Sequence, residues 1–229
     1  HDYTTAVGDE GGFAPNVLSA AQVLEILSDM ISQAGYQPGK EISFALDIAA
    51  SEFYKNGLYT YDQKICDSES IINTWSSLTK AFPIISIEDP LADDDLAGWQ
   101  LITKKLGDKQ LIVGDDLLVT SYNKLKLGIE QNWMNSILIK LNQVGTLTQT
   151  LQAINLAKSN NKSFIISHRS GETEDDYIAD LAIATNAPFI KTGAPCRSER
   201  LSKYNRLLSV EYKTNAKLFK IDSKNVTYG

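Results

Sequence analysis

Basic charge is the first thing this 229-residue chain lacks: 22 Lys and Arg stand against 28 Asp and Glu, a formal net charge of −6. A protein held to nucleic acid by phosphate contacts needs the opposite balance, so that class of partner is disfavoured. Cysteine is scarce. Cys66 and Cys196 make neither a Cys-x-x-Cys pair nor a disulfide framework, so a reducing compartment, the cytosol, is the expected setting. No apolar run reaches the about 18–20 residues needed to cross a bilayer, and the N-terminus carries no signal-peptide pattern. Fourteen glycines and six prolines are too few for a low-complexity chain. Also absent are the GxGxxG and GxxxxGK[ST] phosphate loops and the GxSxG elbow, which weakens nucleotide-fold and serine-hydrolase readings.

What is present is a repeat of layout. Six short apolar runs end in polar or charged residues: ISFALD (42–47), PIISIED (83–89), QLIVGDD (110–116), SILIKLN (136–142), SFIISHR (163–169) and PFIKTG (188–193). Near-continuous apolar runs of this length suit strands buried on both faces of a parallel sheet. Between them lie helical patterns. Ser19 with Gln22 forms a capping box, after which Val23, Leu27, Met30, Ile31 and Ala34 share one face before Gly35. Thr146 with Gln149 repeats the device ahead of Leu147, Leu151, Ile154 and Ala157. Further helices are expected near 69–81, 94–106, 121–131, 174–185 and 198–210.

Strand and helix in alternation give either an open doubly wound sheet or a (β/α) barrel. Every run carries a chemically capable residue at its C-terminal end: Asp47, Glu88, Asp115, Lys140, His168 and Lys191. They are 41, 27, 25, 28 and 23 residues apart, roughly one βα unit each. Groups at the ends of many strands converge on one site only in a barrel, so a barrel is favoured. A closed barrel has eight strands, whereas six are legible; YTTAV before Gly8 and the C-terminal AKLFKID are partial candidates.

Asp47, Glu88 and Asp115 end three successive strands, and three gathered carboxylates repel unless a cation joins them. An all-oxygen set suits Mg²⁺ or Mn²⁺ better than Zn²⁺. The bland alternative is that acids simply collect at exposed strand ends. Lys140 interrupts an apolar strand, either as a rim lysine snorkelling to water or as a general base whose pKa a metal and Lys191 lower. His168 lies in SHRSGE beside Arg169 and Ser170, donors suited to phosphate or carboxylate. In GDEGGFAP (8–15), Asp9 and Glu10 sit among glycines, as a plain surface turn or as backbone held close to a ligand and presenting an acid. A metal with a lysine base fits removal of a proton beside a carboxylate, since cations stabilise the enediolate that forms.

Taken together, VGDEGGFAPN, LDIAASEFY, SIEDPLADDD, IVGDDLLVT, LIKLNQVGTLTQT, SHRSGETEDDYIADLA and IKTGAPCRSERLSKYNRLL resemble the enolase (phosphopyruvate hydratase) family in order and spacing, over about residues 5–211. The resemblance implies a lyase that reversibly dehydrates 2-phosphoglycerate to phosphoenolpyruvate with Mg²⁺. It implies that Asp47, Glu88 and Asp115 hold the metal and that Lys140 removes the C2 proton. It further implies that Glu10 assists departure of the C3 hydroxyl, His168 lines the substrate site, Arg169 and Ser170 contact the phosphate, and Lys191 helps neutralise the carboxylate. Asp116, Gln143 and Glu172 lie in matching motifs without an assigned role.

The family barrel runs ββαα(βα)6 behind an amino-terminal α+β domain. The expectation here is a single domain, residues 1–229, forming the six-unit part of a TIM-type barrel. The amino-terminal domain and the first ββαα are missing from it, along with the loops that complete a second Mg²⁺ site. Such a chain is expected to leave two strand edges unpaired, at 42–47 and 188–193, and to turn over little substrate alone. A homodimer and a cytoplasmic location, with a possible cell-surface presence, follow from the same resemblance. The rivals are another superfamily dehydratase or racemase acting on a carboxylate, and a non-catalytic surface-binding module using the lysines of the C-terminal tail.

Overall fold

A computed structural model describes residues 3–17 and 19–214. All six apolar runs are strands: β1 (Phe44–Asp47), β5 (Ile84–Glu88), β6 (Leu111–Gly114), β7 (Ser136–Ile139), β8 (Ser163–Ser167) and β9 (Phe189–Lys191). They pair in chain order, every neighbour parallel, into one sheet. The sheet curls into an incomplete barrel. Its edge strands β1 and β9 are not ladder neighbours, yet Lys191 Nζ at the tip of β9 lies 2.7 Å from Asp47 Oδ2 at the tip of β1.

Side chains alternate across the strands. Leu111, Val113, Leu138, Ile165 and Phe189 pack together on the concave face. Ile112, Ile137, Ile139, Phe164 and Ile166 join a larger core with the helices. That helical layer comprises α1 (Ala20–Gln33), α2 (Ser68–Ala81), α3 (Leu96–Leu106), α4 (Tyr122–Glu130), α6 (Leu147–Ser159), α7 (Tyr177–Ala184) and α8 (Ser198–Thr214), with a short α5 (Leu141–Val144) at the tip of β7. None is long and apolar enough to cross a membrane.

The caps form where the sequence places them. Ser19 Oγ accepts from Gln22 N, and Thr146 Oγ1 from Gln149 N. The buried faces differ from expectation. In α1, Leu24 is buried while Leu27, Met30 and Ala34 are exposed. This helix leads into an edge strand, and no further element among the described residues lies beyond that edge to cover its outer stripe. In α6, Thr150, Ala153, Ile154 and Ala157 are buried, whereas Leu147 and Leu151 stay exposed. The face is turned so that small residues meet the sheet and the helix packs close to β7, β8 and α4.

Residues 50–66 hold an unexpected insertion: a 3-10 turn (Ala50–Phe53) and an antiparallel sheet of β2 (Tyr54–Lys55), β3 (Leu58–Tyr61) and β4 (Lys64–Cys66). Its two turns, Asn56-Gly57 and Asp62-Gln63, have positive φ at both positions, the hairpin geometry that twists with the strands. Asp95 ties it to the barrel, accepting from Tyr59 Oη (2.7 Å) and Ser68 Oγ (2.6 Å). Two buried indoles brace the loop after β5: Trp75 Nε1 donates to Pro90 O and Trp99 Nε1 to Ala92 O, both at 2.9 Å. Such N–H groups need a partner once buried, and here the partners fix the strand tip bearing Glu88. The tail proposed as a strand, AKLFKID, lies outside the described residues.

Candidate active site

The parallel register is what gathers the strand-end residues. Asp47 faces Glu88 directly across β1 and β5, and Ser167 faces Lys191 across β8 and β9. His168 N continues that ladder to Lys191 O at 2.9 Å. Glu10 arrives differently, on a loop closed by a bridge between Val7 and Phe13. Its carbonyl accepts from Ala194 N (2.9 Å), which straps the loop beside the end of β9.

Glu10, Asp47, Asp115, Lys140, His168, Ser170 and Lys191 line one cavity of ≈ 170 Å³, together with Ala49, Asp89, Asp116 and Ser167. Glu88 is buried beside it. Glu88 and Arg169 are the expected site residues absent from the lining; Arg169 Nη1 donates to Asn142 Oδ1 (3.0 Å).

Charges pair across the cavity. Lys140 Nζ is in close contact with Asp115 Oδ2, so Lys140 is set against a carboxylate here and not against the second lysine. Lys191 Nζ bridges Asp47 Oδ2 (2.7 Å) and Glu88 Oε1 (2.9 Å). Burial pushes the Glu88 carboxyl upward against the opposing pull of Lys191. Burial alone would lower the Lys191 amine, but Glu88 and Asp47 override it and hold the amine above its usual range. Facing them, Ser170 Oγ donates to Glu10 Oε1 (3.2 Å) and His168 Nε2 stands 3.3 Å from Glu10 Oε2. The His168 ring N–H is the main influence lowering the Glu10 carboxyl from 4.5 to about 2; partial burial opposes it, and Lys191 and Ser170 assist.

Glu10 is therefore linked to stability in acid. Its folded pKa lies below its unfolded value, so the stabilisation is present above about 4.5 and is lost as pH falls through about 2. For a half-exposed group screened by water this is worth about 1 kcal/mol. Glu10→Gln should thus be less stable than the parent by that amount in urea melts at pH 6, with the gap closing progressively below pH 4.5. A gap that widened in acid would contradict the pairing.

Two residues with large structural roles were not singled out from sequence. Asp89, buried and at φ 40°, accepts from Asp115 N and Asp116 N, both at 2.9 Å. It thereby locks the tips of β5 and β6 together. Its carboxyl is raised to about 7 by burial, against those two N–H donors. Ligand oxygens of Asp89, Asp115 and Asp116 lie within 4.8 Å of one another, a group that could hold a metal ion. Arg200, fully buried at the start of α8, reaches His168 and three backbone carbonyls. Asp89 stands next to a chosen residue, and Arg200 lies within CRSERLSK, but charge in a loop or on a helix carries no signal of burial until the fold is known.

Glycine fits the Glu10 loop for a reason other than ligand approach. Gly11 is at φ 83°, and a Cβ there would sit 2.6 Å from Cys196 O. Its bare Cα admits the 194–197 loop, and Arg197 Nη1 donates to Gly8 O (3.2 Å) across the same contact.

Comparison with known proteins agrees with this architecture. The family model described as "Enolase, C-terminal TIM barrel domain" matches residues 1–225. A protein named enolase from Elusimicrobium minutum (strain Pei191) is 54% identical over 213 residues, covering 93% of this chain and 50% of that protein. The chain thus spans about half the length of this curated relative. A curled sheet of six parallel strands, bearing these residues at its strand ends and matched over nearly its whole length, places the chain in the enolase family.

Proposed function

We propose that the chain contributes the C-terminal catalytic part of an enolase-type lyase, which dehydrates 2-phosphoglycerate reversibly to phosphoenolpyruvate with Mg²⁺. One observation carries this reading: Lys140–Asp115 and the Lys191 pairs with Asp47 and Glu88 face Glu10, His168 and Ser170 across a single cavity.

The donor set fits a hard cation. Asp47, Glu88 and Asp115 offer only oxygens, and Asp115 Oδ1 is buried without a hydrogen-bond partner. Asp89 is a poorer ligand because both its oxygens already accept backbone N–H groups. A divalent cation held by Asp47, Glu88 and Asp115 would supply stabilisation of the negative charge that develops when the C2 proton leaves.

Lys140 accepts the C2 proton in this reading, and its amine must first leave Asp115. For dehydration Glu10 must first take up a proton from solvent, which it gives to the departing C3 hydroxyl so that water leaves, while Lys140 later releases the C2 proton to solvent. With its carboxyl at about 2, Glu10 stands ionised as the hydration direction requires, ready to take a proton from water. Ser170 and Arg169 bind the phosphate, Arg169 by exchanging Asn142 for it. Lys191 offsets the substrate carboxylate. A homodimer and a cytosolic setting for the whole protein belong to the same reading.

Titration of phosphoenolpyruvate into the chain by calorimetry tests it. Saturable heat is expected with Mg²⁺ and none with a chelator. Equal heat from sugar acids lacking phosphate would favour another member of the superfamily, and binding indifferent to Mg²⁺ would sink the reading.

A further inference from the structure

We infer that Arg200 is a positioning residue, which fixes His168 as the Nε2–H tautomer aimed at Glu10 and ties the Glu10 loop to the loop after β8. The terminal nitrogens of Arg200 donate throughout, while the buried Nε–H has no hydrogen-bond partner among the described residues. Nη1 reaches His168 Nδ1 and Arg169 O, both at 2.7 Å. Nη2 reaches Ser170 O at 2.7 Å and Asp9 O at 3.0 Å. Each of these nitrogens carries two hydrogens, so all four are used. A guanidinium only donates and keeps its charge at any ordinary pH.

That chemistry determines the ring. Nδ1 must offer its lone pair to Nη1, because an N–H there would oppose another N–H in a site where Arg200 is fully buried and His168 2% exposed. The ring proton therefore resides on Nε2, which lies 3.3 Å from Glu10 Oε2 but outside hydrogen-bond geometry and has no hydrogen-bond partner among the described residues. His168 in this state presents an N–H toward Glu10 and cannot accept from it. Arg200 thus acts on Glu10 twice, through the ring and through the carbonyl of the preceding residue, Asp9.

The surroundings are shaped around this cation. Gly193, at φ 84°, lies where a Cβ would come within 2.7 Å of Arg200 Cδ and 2.8 Å of Glu10 O. One turn along α8, Lys203 is 1% exposed; its Nζ contacts Thr173 O and donates to Glu199 O at 2.7 Å. Two buried cations on one helix face therefore hold the backbone of residues 169–173 from below.

The chain has two histidines, His1 and His168, so ¹⁵N-histidine labelling gives a direct readout. At pH 8, long-range ¹H–¹⁵N spectra of the chain should show His168 with a pyridine-like Nδ1 and a pyrrole-like Nε2–H; His168→Gln assigns the signals. Arg200→Met should move both nitrogens toward tautomer-averaged positions, and Arg200→Lys, which keeps one donor, should restore much of the Nε2–H signature. A wild-type ring protonated at Nδ1 overturns the proposal whether or not any variant folds, as does an Arg200→Met spectrum identical to the parent's. The kinetic consequence rests on the proposed activity, and the tautomer does not. In the complete enzyme Arg200→Met should lower kcat about 10²-fold, the scale of a misplaced catalytic group, and displace its pH profile with little change in KM. An inactive parent with the Nε2–H ring would refute the activity alone.

Discussion

Lys140→Met is expected to reduce turnover of 2-phosphoglycerate by about 10³–10⁴-fold in the complete enzyme, the upper part of what a positioned general base contributes. The side chain issues from the tip of β7 and is aimed by its own backbone: Lys140 N donates to Thr120 Oγ1 at 2.9 Å, and Thr120 is fully buried. Lys191 cannot readily replace it, since its amine is committed to Asp47 and Glu88. Exchange of the substrate's C2 hydrogen with solvent deuterium is the sharper readout. It isolates proton removal from later steps, and it should fall in parallel with turnover. Because Met leaves Asp115 buried without its amine, a melt in Mg²⁺ should accompany the assay to separate lost fold from lost chemistry. Exchange at the parent rate would place the base elsewhere.

Gly193→Ala carries the largest expected cost in stability. Its φ of 84° lies where an L side chain is strained, and the new methyl would meet Arg200 Cδ at 2.7 Å and Glu10 O at 2.8 Å. Left-handed backbone costs about 1–2 kcal/mol for a non-glycine residue, and overpacking about 1–3 kcal/mol. A loss of about 2–5 kcal/mol in urea unfolding is therefore expected. Gly12→Ala provides the control: no atom lies within 4 Å of its would-be Cβ and its φ is not positive, so a change within about 0.5 kcal/mol is expected. Equal effects at the two positions would show that the loop contact contributes nothing.

The barrel was legible because its four central strands are buried on both sides, which leaves uninterrupted apolar runs ending in charge. Caps were legible because an N-cap is a local event: Ser19 and Thr146 act on the residue three positions along. Burial of α6 was legible in part: Ile154 and Ala157 are buried as expected, whereas Leu147 and Leu151 look like core from sequence while the sheet takes Thr150 and Ala153 instead. The hairpin sheet escaped for another reason. Its strands are short and aromatic, without an apolar run, although Asn56-Gly57 is a plain turn signal. In the site, Glu10, Asp47, Asp115, Lys140, His168, Ser170 and Lys191 could be placed together because strand ends and family motifs mark them. Asp89 and Arg200 act through backbone N–H and C=O groups of distant segments, and those partners exist only after folding.

The seam between β1 and β9 has a mechanical consequence. Among the described residues no backbone ladder joins β1 to β9, and the Lys191 ammonium shared between Asp47 and Glu88 links their tips. An anion docking near Lys191 must therefore compete with Asp47 and Glu88 for the same ammonium, so ligand pairing and rim pairing draw on one charge.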